Sequence, residues 1–222
     1  MSAETPLDGG TRALLELSAA LGGGDAADRD GALEDAAARV REGSLTDRAV
    51  EEAILQAHLF AGYPASLTAL GRWREIGPSR DGRREERGDR SSPGAGPVGA
   101  AERRERGERL CRRIYGSAYE KLRRNVRRLH PAMDRWMVEE GYGRVLARPG
   151  LDVRRRELCV VALLAAADWP VQLESHLRGA LNVGAEPDRV EAALAAGASR
   201  AAPGAARRAR ERWQRVTSEA ER

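Results

Sequence analysis

Glu157 and His176 are the pair in this sequence best suited to move a proton. Around the histidine, Leu173, Leu177, Ala180 and Leu181 recur at helical spacing, so His176 points with them towards a core. Glu157 opens a stretch, Leu158 to Ala167, that is apolar on all sides and reads as a central buried helix. A carboxylate there is costly unless it has a partner. Two consecutive helices packed antiparallel would bring the two side chains together. A buried Glu–His pair has protonation equilibria that its surroundings can tune, and it could serve as general acid and base. The same residues would equally suit a core histidine satisfied by a structural glutamate, and spacing leaves both readings open.

The elements that must hold this pair are helices. Of 222 residues 41% are apolar but only 4% aromatic, so a core has to be built mainly from Ala, Leu and Val. Ala and Leu are strong helix formers, and no run alternates apolar and polar residues as a half-buried strand would. The expected fold class is all-α. Tyr115, Tyr119, Leu122, Val126 and Leu129 mark one amphipathic stripe, and Pro131 starts a helix through Met133, Trp136 and Met137 that Gly141 closes. Pro170 and Pro187 suit first turns, where a missing N–H matters little, and Thr46 suits an N-cap.

Three regions follow: a helical half over 1–76, a linker over 77–107 and a more strongly patterned domain over 108–222. The linker combines Gly, Pro, Ser and mixed charge with almost no apolar content, so disorder or an exposed tether is expected. The outer regions share a loose repeat. Gly43-x-x-Thr-Asp-Arg and Gly184-x-x-Pro-Asp-Arg each close one helix and open another, followed by a Pro (Pro64, Pro203) and a Trp (Trp73, Trp213). The expected architecture is a helical bundle made of two related halves.

Net charge is +4, yet acids and bases mostly interleave. Only 109–130 concentrates arginine, which reads as a solvated helix face, a subunit contact or a dock for an acidic partner. No nucleic-acid partner is expected. Cys111 and Cys159 form no CxxC and read as buried small hydrophobes in a reducing compartment. No secretory signal and no apolar run of the ~20 residues that span a bilayer is seen, so a cytoplasmic protein without a membrane partner is expected. Zinc spacing, a Walker loop and GxGxxG are missing, so neither metal nor organic cofactor is expected.

The stretch Gly141-Tyr-Gly-Arg-Val-Leu-Ala-Arg-Pro-Gly-Leu-Asp, then Arg156-Glu-Leu, then Trp169-Pro-x-Gln-Leu-x-x-His-Leu-Arg-Gly-Ala-Leu-x-x-Gly184, resembles the carboxymuconolactone decarboxylase family. The resemblance runs over about 109–194 and more faintly over 46–74, where Ala61-Gly-Tyr-Pro follows Glu51-Glu-Ala-Ile-Leu-Gln. It implies an all-helical fold of the alkyl hydroperoxide reductase D type and a homo-oligomer. One branch of that family is a thiol peroxidase with a Glu, CxxC, His relay. Glu157 and His176 match its Glu and His, but Trp169 and Gln172 stand at the two cysteine positions. Thiol peroxidase chemistry needs a thiolate and a resolving thiol, so it is not expected here.

The decarboxylase branch lacks those cysteines. By resemblance His176 would donate or take the proton and Glu157 would orient it. The substrate would be a small organic acid or lactone. Arg148 and Arg178 would meet its carboxylates, since guanidinium forks match them, with Trp169 and Gln172 as further contacts; surface ion pairs are the alternative for both arginines. Two departures bear on this. Asp35 stands where the repeat would place a second His, and 198–208 carries arginines where the family has an apolar helix, so they could wet the pocket or form a subunit contact. A family member without catalysis, kept as a structural or binding module, is the alternative function.

Overall fold

The structure is a computed structural model that describes residues 7–78 and 99–220. Capping chemistry sets where its helices begin. The Asp8 carboxylate accepts from the Thr11 N–H at 2.8 Å and opens α1, Gly9–Gly23. Asp25 and Asp28 form a reciprocal capping box at α2, Ala26–Arg41, and Thr46 accepts from the Ala49 N–H to open α3, Asp47–Ile76. The chain bends within α3 at Gly62, where φ is 82°, just before Pro64. After α4, Ala100–Tyr115, one tight turn leads to α5, Tyr119–Leu129, and α6, Pro131–Trp136. Then come α7, Val153–Ala166; α8, Pro170–Asn182; α9, Pro187–Ala198; and α10, Ala205–Ala220. No strand occurs among the described residues, as expected of an all-α chain. Nor is any described helix long and apolar enough to cross a membrane.

From Arg156 to Ala166 every residue of α7 is buried, which matches the apolar run that begins at Leu158. Around it α1, α3, α8, α9 and α10 pack, so helices from both ends of the chain share one core. Leu14, Leu17, Ile54 and Trp73 lie in the same cluster as Val160, Leu163, Leu173 and Leu194. A second, smaller cluster gathers Cys111, Ile114, Tyr119, Tyr142, Leu146 and Val183 beside it.

Three local expectations change. The stripe read from Tyr115 to Leu129 is divided, because α4 ends at Tyr115, the turn Gly116–Ala118 intervenes before α5, and Leu129 is exposed. Helix α4 begins at Ala100, inside the segment read as linker; the remainder of that expectation, 79–98, lies outside the described residues. Charged side chains one turn apart support the helix there: Arg104 bonds Glu108 at 3.2 Å, and Arg109 pairs with Glu105. Gly141 does not close a helix. The chain continues from α6 into a π-helical stretch, Met137–Leu146, which ends with the Ala147 N–H bonded to the Tyr142 carbonyl at 2.9 Å. This stretch lies against α4 so closely that a Cβ on Gly107 would sit 2.0 Å from the Val138 carbonyl oxygen.

Part of the arginine-rich segment is occupied with its own surroundings. Buried Asp134 accepts from Arg123 Nη2 at 3.0 Å and Arg127 Nη2 at 2.8 Å, while Arg123 also donates to the Tyr119 hydroxyl. The Arg123 hydrogen bond holds the Asp134 carboxyl below its ordinary range, against the effect of burial. These ion pairs do much of the anchoring of α5, whose Leu129 is exposed. Asp134→Ala should lose about 2–3 kcal/mol of local stability, read as faster hydrogen exchange along α5. Because the folded carboxyl is depressed, the contribution is present above about pH 4 and lost as pH falls through its lower folded value. Protection of α5 that did not change in the variant would contradict this.

Candidate active site

Glu157 and His176 meet. The Asp152 carboxylate caps α7 by accepting the Arg154 and Arg155 N–H groups, both at 3.1 Å, and this starts the helix four residues before Arg156. Glu157, 1% exposed, then points towards α8. His176 Nδ1 lies 2.8 Å from Glu157 Oε2. With the carboxylate ionised, Nδ1–H donates, which fixes the tautomer and leaves Nε2 as the ring's proton acceptor. A protonated ring becomes a donor at Nε2 instead. The close approach depends on Gly179, because a Cβ there would sit 2.8 Å from Glu157 Oε2 and 2.7 Å from Ile114 Cγ2.

Aromatic rings surround the imidazole. Phe60 of α3 stands edge-on to it at 5.7 Å between centroids, and Tyr115 of α4 at 6.3 Å. The hydroxyls of Tyr115 and Tyr142 share a hydrogen bond of 2.7 Å. Burial pushes both phenols up, and the Glu157 charge adds to this, so both remain protonated. The sequence reading had Tyr115 only as part of a stripe and did not single out Phe60, Tyr142 or Gly179. The Gly141-Tyr-Gly run inside the family-like stretch was the one available signal for Tyr142.

The hydrogen bonds and ion pairs described for the four other candidates lead away from the pair or to solvent-facing positions. Trp169 sits at the start of α8, 53% exposed, and Gln172 is exposed one turn before His176. Arg148 Nε bonds Glu52 at 3.1 and 3.2 Å. Arg178 pairs with Glu174 at 3.2 Å and Glu219 at 2.7 Å. The arginines of 198–208 are also engaged within the chain: Arg200 with Glu16, Arg208 with Asp168 and Arg207 with Glu211. Asp35, opposite His176 in the loose repeat, pairs with Arg39 at 3.2 Å.

Both thiols are buried. Burial pushes Cys111 up to about 12 and Cys159 up to about 11. Neither should react with a thiol reagent at pH 8 while the protein is folded, and both should label in denaturant. Rapid labelling of the native protein would refute this placement. Among the described residues no group of three or more His, Cys, Asp or Glu could hold a metal ion.

Residues 131–215 match the sequence profile of the Carboxymuconolactone decarboxylase family, a span that contains both Glu157 and His176. A search of curated proteins finds no match to the chain.

Proposed function

We propose, from the premise that residues 131–215 belong to the carboxymuconolactone decarboxylase family, that His176 and Glu157 carry out proton transfer on a small organic acid or lactone. The carrying observation is the buried 2.8 Å bond between His176 Nδ1 and Glu157 Oε2. It commits one ring nitrogen to the carboxylate and leaves the other for a substrate. In a decarboxylation the bond from carbon to carboxylate breaks, CO₂ leaves, and the electron pair remains as a dienolate. A proton from Nε2–H then closes the valence at carbon, and water restores the imidazolium. Glu157 acts as a positioning residue that holds Nδ1 and so turns Nε2 towards the substrate. In this reading the protein acts without an organic cofactor and assembles as a homo-oligomer.

The second reading is a non-catalytic module of the same family. It is favoured by the ion pairs that occupy Arg148 and Arg178, the groups first expected to meet a substrate carboxylate. Decarboxylation of a carboxylated muconolactone by wild type and His176→Ala separates the two. Turnover by wild type that is lost in a variant of unchanged helical circular dichroism is expected. Equal turnover in both would displace the chemistry from His176, and none in either would favour the module.

A further inference from the structure

A cleft of about 590 Å³ opens where the first turns of α7 and α9 meet α4. That volume lies within the range of small-ligand sites. Neither Glu157 nor His176 lines it, although Leu158 on its floor follows Glu157 directly. Three helices contribute guanidinium groups to it, namely Arg113 from α4, Arg154 and Arg155 from α7, and Arg189 from α9.

Charge accounting divides these four. Arg189 Nε pairs with Glu186 at 3.0 Å. Arg155 lies 3.6 Å from Asp152 and 3.9 Å from Asp8. Arg113 and Arg154 form no ion pair with any described residue. Asp152, which also lines the cleft, accepts two backbone N–H groups at Oδ1 and has its Oδ2 3.6 Å from Arg155. The Arg154 guanidinium lies over the turn at Gly184, where a Cβ would stand 3.6–3.8 Å from its atoms. The turn and the buried Leu158 beneath it give this surface a fixed shape. Two guanidinium groups without an ion-pair partner among the described residues therefore line one concave surface, beside Asp152 and Glu186, which pair with Arg155 and Arg189.

We propose that this cleft binds a small dianion that bridges Arg113 and Arg154. The shared chemistry is two negative charges carried on planar or tetrahedral oxygens, as in a phosphate group or a dicarboxylate, both of which guanidinium forks accept in pairs. No aromatic side chain lines the cleft, so nothing there would stack on a base or ring.

Titration calorimetry of the full chain with inorganic phosphate and with succinate, at low and at physiological salt, tests the assignment. Saturable binding at one site per chain is expected, weaker at higher salt. Arg113→Ala/Arg154→Ala should weaken it at least about tenfold, while His176→Ala binds as wild type. Both arginines are exposed, so the fold should be retained, and circular dichroism checks this. Preference for phosphate assigns a phosphate ester, and preference for succinate a dicarboxylate. Absence of saturable binding to either probe would overturn the proposal. So would equal weakening by Arg124→Ala/Arg128→Ala on α5, which would mark the attraction as unspecific.

Discussion

Replacing Glu52 by alanine is expected to destabilise the fold by about 3–5 kcal/mol, because it strands a buried guanidinium. Arg156 is only 2% exposed. Its Nη2 bonds Glu52 Oε2 at 2.8 Å and the Arg148 carbonyl at 2.7 Å, its Nη1 bonds Gln56 at 3.3 Å, and its Nε bonds the Leu151 carbonyl at 3.1 Å. Burial pulls the Arg156 guanidinium below its ordinary range, and the Glu52 carboxylate opposes this. Without Glu52 the carbonyls and amide remain, but no formal charge balances Arg156. Glu52→Leu/Arg156→Met removes both charges and should recover much of the loss, since apolar groups can replace a buried pair at little net cost. Urea unfolding followed by circular dichroism measures both variants. A Glu52→Ala variant within about 1 kcal/mol of wild type would mean that water reaches Arg156.

This network matters to the candidate site through position. It fixes the 147–151 segment and the first turn of α7, and Glu157 follows Arg156 directly.

Loss of His176 is expected to have the largest effect on turnover. Removing a positioned general acid–base group costs about 10²–10⁴-fold. His176→Ala should lower kcat by that order, with the substrate otherwise bound. Glu157→Gln keeps the shape and one carbonyl acceptor for Nδ1–H but replaces a charge-assisted hydrogen bond by a neutral one. Its kcat should fall less than in His176→Ala, with KM nearly unchanged, as expected for an interaction that matters most in the transition state. A Glu157→Gln variant whose KM rises while kcat holds would instead make the carboxylate a binding group. Both variants bury altered groups, so their unfolding midpoints must be compared with wild type before rates are interpreted.

Much of the scaffold was legible from local pattern. Thr46 caps α3, Pro170 and Pro187 occupy first turns, and the apolar run after Glu157 became the buried central helix. Each of these depends on neighbours three or four residues away, which periodicity and capping chemistry report directly. The helix at 100–107 was hidden because its support comes from ion pairs and from packing at Gly107, neither of which raises apolar content.

The site divides along the same line. Sequence by itself determined that Glu157 and His176 sit on consecutive helices with His176 facing a core, and it left their contact open. The tertiary structure alone decided what surrounds them. Phe60 and Tyr115 reach the imidazole from helices far away in sequence, and Arg156 finds Glu52 across 104 residues. It also decided that Arg148 and Arg178 face carboxylates, where sequence allowed a substrate partner but leaned towards an ion pair. Periodicity tells which way a side chain points from its own helix. What it meets is set by how helices dock, and that depends on the shape and burial of the whole core.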